Sequence, residues 1–414
     1  MNAEEFDVIV VGGGASGMMA AGTAAARGRK VLLLEKNKNL GEKLKITGGG
    51  RCNITNAEFD EHVLLKHYGK AEQFLYSAFS RFGVRETFSF FESKGLPLLT
   101  QDYKRAFPHT ERALDVCNVL ERYMRGNKVT IKIGSPVTRV VFENRKIVSV
   151  VSGQHDYKAQ SFVFATGGVS HPETGSTGDG FLWLAQLGHT VSKPTPTIVP
   201  LAVKERWAKE LAGVSLALTK ITFFVDGVKQ FSETGKILFT HFGVSGPLIL
   251  NCAHKVSALL HSGVTTATLD AFPDTDLGLL ERRIVAVFDK NKNKMLKNIF
   301  KDIVPAGTSS SILSLVRKVV DPEKKGHSVT KEERRYIARI LKALPLTITG
   351  LMGYDRAVIA DGGVPLAEID MKTMRSKKIE NLSITGDLLH INRPSGGYSL
   401  QLCWTTGYVA GLHA

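Results

Sequence analysis

The sequence predicts an α/β chain in which one parallel-sheet domain is left and later re-entered, with a β-rich region and a helical region inserted between. Three observations predict it. An apolar run, a glycine turn and an alanine-rich stretch follow one another over residues 7–26. Two more apolar runs open into glycine far downstream, at Ala165 to Gly168 and at Thr385 to Asp387. Between those two turns the pattern changes from strand-like alternation to helical spacing.

A chain of 414 residues exceeds the usual size of one compact unit, so two or three domains are expected. Apolar residues make up 43% and charged ones 22%, the balance of a globular protein. No window approaches the roughly eighteen consecutive apolar residues that cross a bilayer, so no membrane association is expected. Met1 to Phe6 contains Glu4 and Glu5 and runs straight into Val8 to Val11. The basic segment and cleavage site of a secretory leader are missing there, and a cytoplasmic location is expected. Cys52, Cys117, Cys252 and Cys403 form no CxxC pair, which argues against zinc, iron–sulfur and thioredoxin-like sites. No metal is expected, and a disulfide is out of place in a reducing compartment.

The first element carries most of the information. Asp7 to Val11 reads as a strand, followed at once by Gly12, Gly13, Gly14, Ala15, Ser16 and Gly17, and Met18 to Ala26 reads as a helix. Gly12 permits the tight turn, Gly14 lets the backbone approach a pyrophosphate, and Gly17 lets helix and strand pack closely. The helix N-terminus then faces the phosphates. A second strand, Val31 to Leu34, ends in Glu35, where an acid accepts ribose hydroxyls. Strand, helix, second strand and acid in that order mark a Rossmann-like dinucleotide site. The later turns, Ala165, Thr166, Gly167, Gly168 and Gly386, Asp387, resemble those of two-dinucleotide-fold flavoproteins. The resemblance implies FAD, with Asp387 on the ribityl chain, and the fingerprint offers glycines and an acid but no signature for a linked cysteine or histidine, so non-covalent binding is expected.

A longer resemblance follows. Gly41 to Asn56 (GEKLKITGGGRCNITN), Gly175 to Gly180 (GSTGDG), Phe239 to Pro247 (FTHFGVSGP) and Gly386 to Gly397 together resemble the BaiN/YhiN-like family of bacterial flavoproteins over nearly the whole chain. That resemblance implies an FAD domain interrupted by a barrel-like and helical insert. Its members are labelled aminoacetone oxidase, bile-acid reductase and ribosomal RNA dihydrouridine synthase, so it fixes the cofactor better than the substrate. It extends the cofactor contacts to Lys36, Lys43, Leu44, Gly50, Arg51, Cys52, Asn53, Val137, Thr177, Gly178, Asp179, Gly396, Gly397 and Tyr398. This chain departs from the family at Ala360 to Gly363, where threonine-alanine-glycine-glycine is usual, and at Arg393 and Pro394, where glycine-aspartate is usual.

The rest divides as follows. Phe74 to Phe91 carries aromatics at helical spacing, and Asp115 to Met124 is amphipathic. Val129 to Ile133, Val137 to Glu143 and Ile147 to Val151 alternate like strands. Short strand-like runs follow at Ile198 to Val203, Ser215 to Val225 and Thr265 to Leu269, with turns expected at Asp226–Gly227 and Thr234–Gly235. The expected domains are residues 1–193 with 354–414 for FAD, 194–274 for a β-rich barrel-like insert, and 275–353 for a basic helical subdomain and return segment.

Charge is uneven. The chain carries 54 Lys and Arg against 39 Asp and Glu, a net +15, and residues 282–342 hold sixteen basic against six acidic groups. A solvated helical face is the plain reading of such a run; a polyanion-binding face is the functional one. Arg334, Arg335, Arg339 and Lys342 are the candidate RNA contacts, with Ile337, Ile340 and Leu341 facing inward. For proton transfer the candidates are Cys52, whose thiolate Arg51 would favour, His241 in a glycine-flanked turn, and Tyr398 at the start of the last helix. Core packing is the plain reading of each. No second GxGxxG follows another strand, so NAD(P)H is expected only as a transient electron donor. The leading expectation is an FAD-dependent reductase of an activated C=C, with ribosomal RNA uridine first among substrates. A small-molecule oxidase or reductase acting on an amine or enone remains open, as does an RNA-binding flavoprotein without turnover.

Overall fold

Val8, Ile9 and Val10 are fully buried, and a strand covered on both faces needs partners on both edges. In the computed structural model, which describes residues 5–414, the first strand Glu5–Val11 pairs in parallel with Val31–Leu34 on one side and with the strand His155–Phe164 on the other. Met1–Glu4, on which the leader argument partly rests, lie outside the described residues. The seven-stranded sheet runs Thr130–Lys132, Val31–Leu34, Glu5–Val11, His155–Phe164, Lys146–Ser152, Val137–Glu143, and Leu382–Ile384 adds to the end of His155–Phe164. His155–Phe164 has three partners: its first half closes an antiparallel meander, and its second half lies parallel to the first strand on one edge and to Leu382–Ile384 on the other. Leu382–Ile384 is parallel to that second half, so the late strand returns to the sheet beside a glycine turn more than two hundred residues earlier.

Contacts divide the described chain into two units, residues 1–196 with 357–414, and residues 197–356. In the first unit the aromatic stretch expected as one helical pattern breaks at Gly83 into Glu72–Phe79 and Val84–Ser93. There Glu86 accepts from the Gly83 amide and starts the second helix.

The second unit is a closed six-stranded barrel of Leu201–Val203, Gly243–Ser245, Val228–Thr240, Ser215–Val225, Thr265–Asp270 and Leu344–Leu351. The boundaries expected from sequence separated this barrel from a helical subdomain at 275–353. Instead the helices, chiefly Leu277–Lys290, Ser309–Val316 and Lys331–Lys342, sit between the fifth and sixth barrel strands in chain order. Leu344–Leu351 closes the barrel between Leu201–Val203 and Thr265–Asp270. One core holds both parts: Leu280, Ile284, Phe288, Ile337 and Leu341 cluster with Ile221, Phe239 and Leu269. A second correction concerns Thr234–Gly235, expected as a turn and found inside Val228–Thr240. The register shifts opposite it, the Gly235 carbonyl accepts from Thr219, and a Cβ there would touch Leu248 at 3.4 Å. The glycine marks an irregularity in a long strand that a helix crosses closely.

Candidate active site

Three glycines set the phosphate end. Gly12 has φ 107°, and a Cβ there would lie 2.5 Å from the Ala165 carbonyl oxygen. A Cβ on Gly17 would lie 1.9 Å from the Gly12 carbonyl oxygen, so the helix can pack on the turn only with glycine there. Gly14 has no atom within 4 Å of its missing Cβ. The space is open, and Gly14 begins the phosphate helix Ala15–Ala26 without any side-chain cap. The first amides of that helix are therefore left to a ligand.

The terminal helix Tyr398–His413 starts the same way. Gly397 has φ 104°, a Cβ there would sit 2.2 Å from the Thr55 carbonyl carbon, and no side chain caps the helix. Asn53 secures this start: its amide oxygen accepts from the Gly397 amide at 3.0 Å, and its nitrogen donates to the carbonyls of Thr55 and Ala106. The two helices approach at backbone distance, since Cβ atoms on Gly407 and Gly411 would fall 2.3 and 2.5 Å from the carbonyl oxygens of Ser16 and Ala20. Both N-termini thereby open on one cavity, lined at these ends by Ser16 and by Ser399 and Leu400.

The polar wall of the cavity is ordered by its own bonds. Glu35 is buried, and its carboxylate accepts from the Gly13 amide at 2.6 Å and the Asn37 amide at 2.7 Å. Lys36 donates to Thr177 at 2.5 Å and Asp179 at 2.8 Å, and so ties the end of the second strand to the loop before the helix Asp179–Gln186. Burial raises the Asp179 carboxyl, but Lys36 and Thr177 outweigh it and the net shift is downward. Lys43 donates to Ser170 at 2.6 Å and to Asp387 at 3.2 Å, and Arg393 closes on the other Asp387 oxygen. Burial pushes the Asp387 carboxyl up, yet Lys43 and Arg393 together hold it at about 2. The Thr166 hydroxyl, also at the cavity, is buried without a hydrogen-bond partner among the described residues.

These features fit a dinucleotide: an open cradle at Gly14, a second uncapped helix start, and an orphaned hydroxyl on the wall of the same cavity. Of the sequence candidates, Gly12, Gly14, Ala15, Ser16, Glu35, Lys36, Lys43, Leu44, Val137, Ala165, Thr166, Gly167, Asp179 and Asp387 line the cavity. Gly17, Gly168, Thr177, Gly178, Gly386, Gly396 and Gly397 are not on its wall; Thr177 holds Lys36, and Gly17 and Gly397 hold backbones together. Gly50, Arg51, Cys52 and Asn53 stand back from it as well.

Sequence reasoning missed Ser399, Leu400 and Cys403, which share one face of the terminal helix at i, i+1 and i+4, and also Ser135, Trp183, Val358 and Ile359. The helical spacing from Gly397 was the available signal for the first three. Nothing in the local sequence marks Val358 or Ile359.

The proton-transfer candidates fare differently. Arg51 faces Glu111 at 3.1 Å and lies over the Phe107 ring. The expected ionised thiol at Cys52 is corrected: the residue is fully buried, and burial pushes the thiol up to about 12. Tyr398 packs between the rings of His67 and Tyr68, and burial raises its hydroxyl to about 12. His241 is exposed in the turn between Val228–Thr240 and Gly243–Ser245 of the barrel unit. None of the three lines the cavity.

The model of the HI0933-like protein Rossmann domain matches residues 6–413. The chain belongs to the HI0933-like family. A 3-dehydro-bile acid delta(4,6)-reductase of Clostridium scindens is 29% identical over 98% of both chains. A ribosomal RNA dihydrouridine synthase of Haemophilus influenzae is 26% identical over 98% of this chain and 97% of its own. Among solved structures, the 3-ketosteroid-delta4-(5alpha)-dehydrogenase of Rhodococcus jostii shares the fold at a TM-score of 0.54, with 16% identity over 99% of this chain and 96% of its own. The HI0933-like chain is therefore an FAD-dependent oxidoreductase of α/β, Rossmann-type architecture with added β-rich and helical regions. At the two places where the sequence departs from the resembled pattern, Asp361 pairs with His390 at 3.3 Å, and Arg393 pairs with Asp387, which lines the cavity. Among the described residues no cluster could hold a metal ion, and no helix is long and apolar enough to cross a membrane.

The RNA-contact candidates separate on Lys331–Lys342. The Lys342 ammonium is turned inward to the carbonyls of Phe272 and Thr275 and to Asp270 at 2.6 Å, and Arg334 donates to the Val329 carbonyl. Arg335 faces Glu281 at 3.7 Å, and Arg339 is exposed. The helix buries Ile337, Ala338 and Leu341, while Ile340 stays half-buried.

Proposed function

We propose that this protein reduces a C=C bond conjugated to a carbonyl, with uridine in ribosomal RNA as its first candidate substrate. The single observation that carries the reductase reading is the convergence of two uncapped helix starts, at Gly14 and Gly397, on one cavity. One suits a pyrophosphate, and the other would offer partial positive charge to the negative charge of a reduced flavin. The names of both full-length relatives describe saturation of such a bond, in a 3-oxo bile acid and in uridine.

Bound FAD supplies hydride chemistry, and NAD(P)H is its proposed transient donor. The chain's residues do the rest. The amides of Ala15 and Ser16 would meet the phosphates, Glu35 would accept from a ribose, and Asp387, ionised, would accept from the polyol chain. The start of the terminal helix steadies anionic charge, and leaves the substrate side to a proton donor. Of the sequence candidates in the cofactor unit, the Cys52 and Tyr398 protons are held too tightly for release near neutrality. A uridine would have to leave its stack to reach the flavin. The exposed remainder of the basic helices, Arg335 and Arg339 among them, supports RNA as the carrier of that base.

A small enone is the second reading, favoured by the inward turn of Lys342 and Arg334, which thins the basic face. Anaerobic turnover of the photoreduced holoprotein with unmodified ribosomal RNA and with a 3-oxo-4-ene steroid separates the two. Reoxidation by RNA with dihydrouridine formed supports the first; reoxidation by the steroid alone overturns it.

A further inference from the structure

Among the described residues Arg393 is the only lysine or arginine that is buried as a whole residue, 4% exposed. Each arm of its guanidinium is used. One nitrogen donates to the Ile391 carbonyl at 2.7 Å, Nε donates to the Ser399 hydroxyl at 3.1 Å, and the third bonds Asp387 Oδ1. Asp387 and Ser399 both line the cavity, one just after the last strand and the other in the first turn of the terminal helix. Well-packed apolar side chains often replace buried ion pairs at no loss of stability, so joining two elements is not by itself a reason for a buried cation. A buried guanidinium that bonds through all three of its nitrogens, two of them to cavity groups, therefore has a use at the cavity.

We propose that Arg393 is a positioning residue that keeps the Asp387 carboxylate ionised and aimed into the cavity as an acceptor for a hydroxyl of the flavin's polyol chain. The inference rests on the FAD reading above and adds a residue to it. The groups that face Asp387 are Lys43 from Glu42–Ile46, Arg393 itself, and the Cys403 thiol of the terminal helix; the Tyr68 hydroxyl, which donates to the Tyr398 carbonyl, lies near Arg393. Cys403 and Tyr68 stay protonated, so only the two cations oppose burial. Without the guanidinium Lys43 opposes burial alone, the carboxyl rises toward neutrality, and its protonated form no longer offers the same acceptor.

The test is flavin release from the holoprotein, read as the recovery of FAD fluorescence on dilution between about pH 8 and about pH 5.5, a window well above the ordinary carboxylate range. Wild type is expected to hold FAD equally across it. Arg393→Met is expected to weaken on acidification by about tenfold or more, as a carboxyl brought into that window gains its proton. Arg393→Lys, which keeps the charge, and the double variant Arg393→Met with Asp387→Asn, which has no carboxyl to titrate, are both expected to give flat profiles. A flat profile for Arg393→Met, or a bend that persists in the double variant, overturns the proposal. If Arg393→Met does not fold, a bend in Arg393→Lys overturns it. A wild type that holds no FAD at any pH removes the cofactor reading itself, a result distinct from all of these.

Discussion

Long cations do opposite work in the two units. In the cofactor unit Lys36 and Lys43 reach from the second strand and the short helix after it to Asp179 and Asp387, and their charge sits on the cavity wall. In the barrel unit Lys342 reaches inward to two carbonyls and Asp270, where it ends a helix and closes a loop. The same residue type is a ligand-facing group in one place and framework in the other. What separates them is the neighbouring backbone. Glycine turns in the first unit leave helix starts and an open space that need a partner, whereas the second unit satisfies its own carbonyls with its own lysine.

The sharpest way to break this contrast is at the glycines. Gly17→Val meets the Gly12 carbonyl and should unfold the cofactor unit, whereas Gly14→Val projects into open space and should leave the fold intact while FAD affinity falls by about a hundredfold or more. Circular dichroism and flavin absorbance read the two effects apart. A folded Gly14→Val protein with full flavin content would place the phosphates elsewhere.

Acid comes next in size. The Asp387 carboxyl is held at about 2 in the folded protein, below its ordinary unfolded value near 4. Its stabilisation is therefore complete above about pH 4 and is lost as pH falls toward 2, about 2–3 kcal/mol in all. The Asp387→Asn variant should lack that part of the acid transition in denaturant titrations; an unchanged transition breaks the assignment. The thiols act with the opposite sign. Cys52 and Cys403 are raised to about 12, so the stabilisation from keeping them protonated is full below an unfolded value of about 8.5 and fades as pH rises through the folded one. Cys52 should accordingly resist alkylation at pH 8 until the protein unfolds.

On the barrel side Lys342→Met should lower stability by about 2 kcal/mol, because it strands Asp270 and two carbonyls, with flavin content unchanged. Neutralising all four of Arg334, Arg335, Arg339 and Lys342 is thus a poor probe of RNA binding. The smallest expected effect is the informative one. Arg335→Gln with Arg339→Gln should leave stability within about 0.5 kcal/mol and flatten the dependence of log K for RNA on log salt by about one for each phosphate no longer neutralised. Equal slopes for variant and wild type would remove the basic face as a reason for preferring RNA.

Sequence alone determined the elements whose chemistry is local. A strand, three spaced glycines and an acid demand a particular backbone whatever surrounds them, and Gly12, Gly14, Gly17 and Glu35 stand where that demand puts them. The late glycine turn at Gly386 was legible for the same reason, and Leu382–Ile384 joins the sheet beside it. What only tertiary structure decided depends on partners remote in the chain. Leu344–Leu351 completes the barrel after a run of helices, a pairing no local pattern announces. Cys403 reaches the cavity while Cys52 is sealed behind it, because burial is set by the packing of several elements and not by the motif around a cysteine. Net charge was countable from composition, but its availability was not: a lysine is free only when no carbonyl or carboxylate lies within its reach, and that is a property of the folded chain.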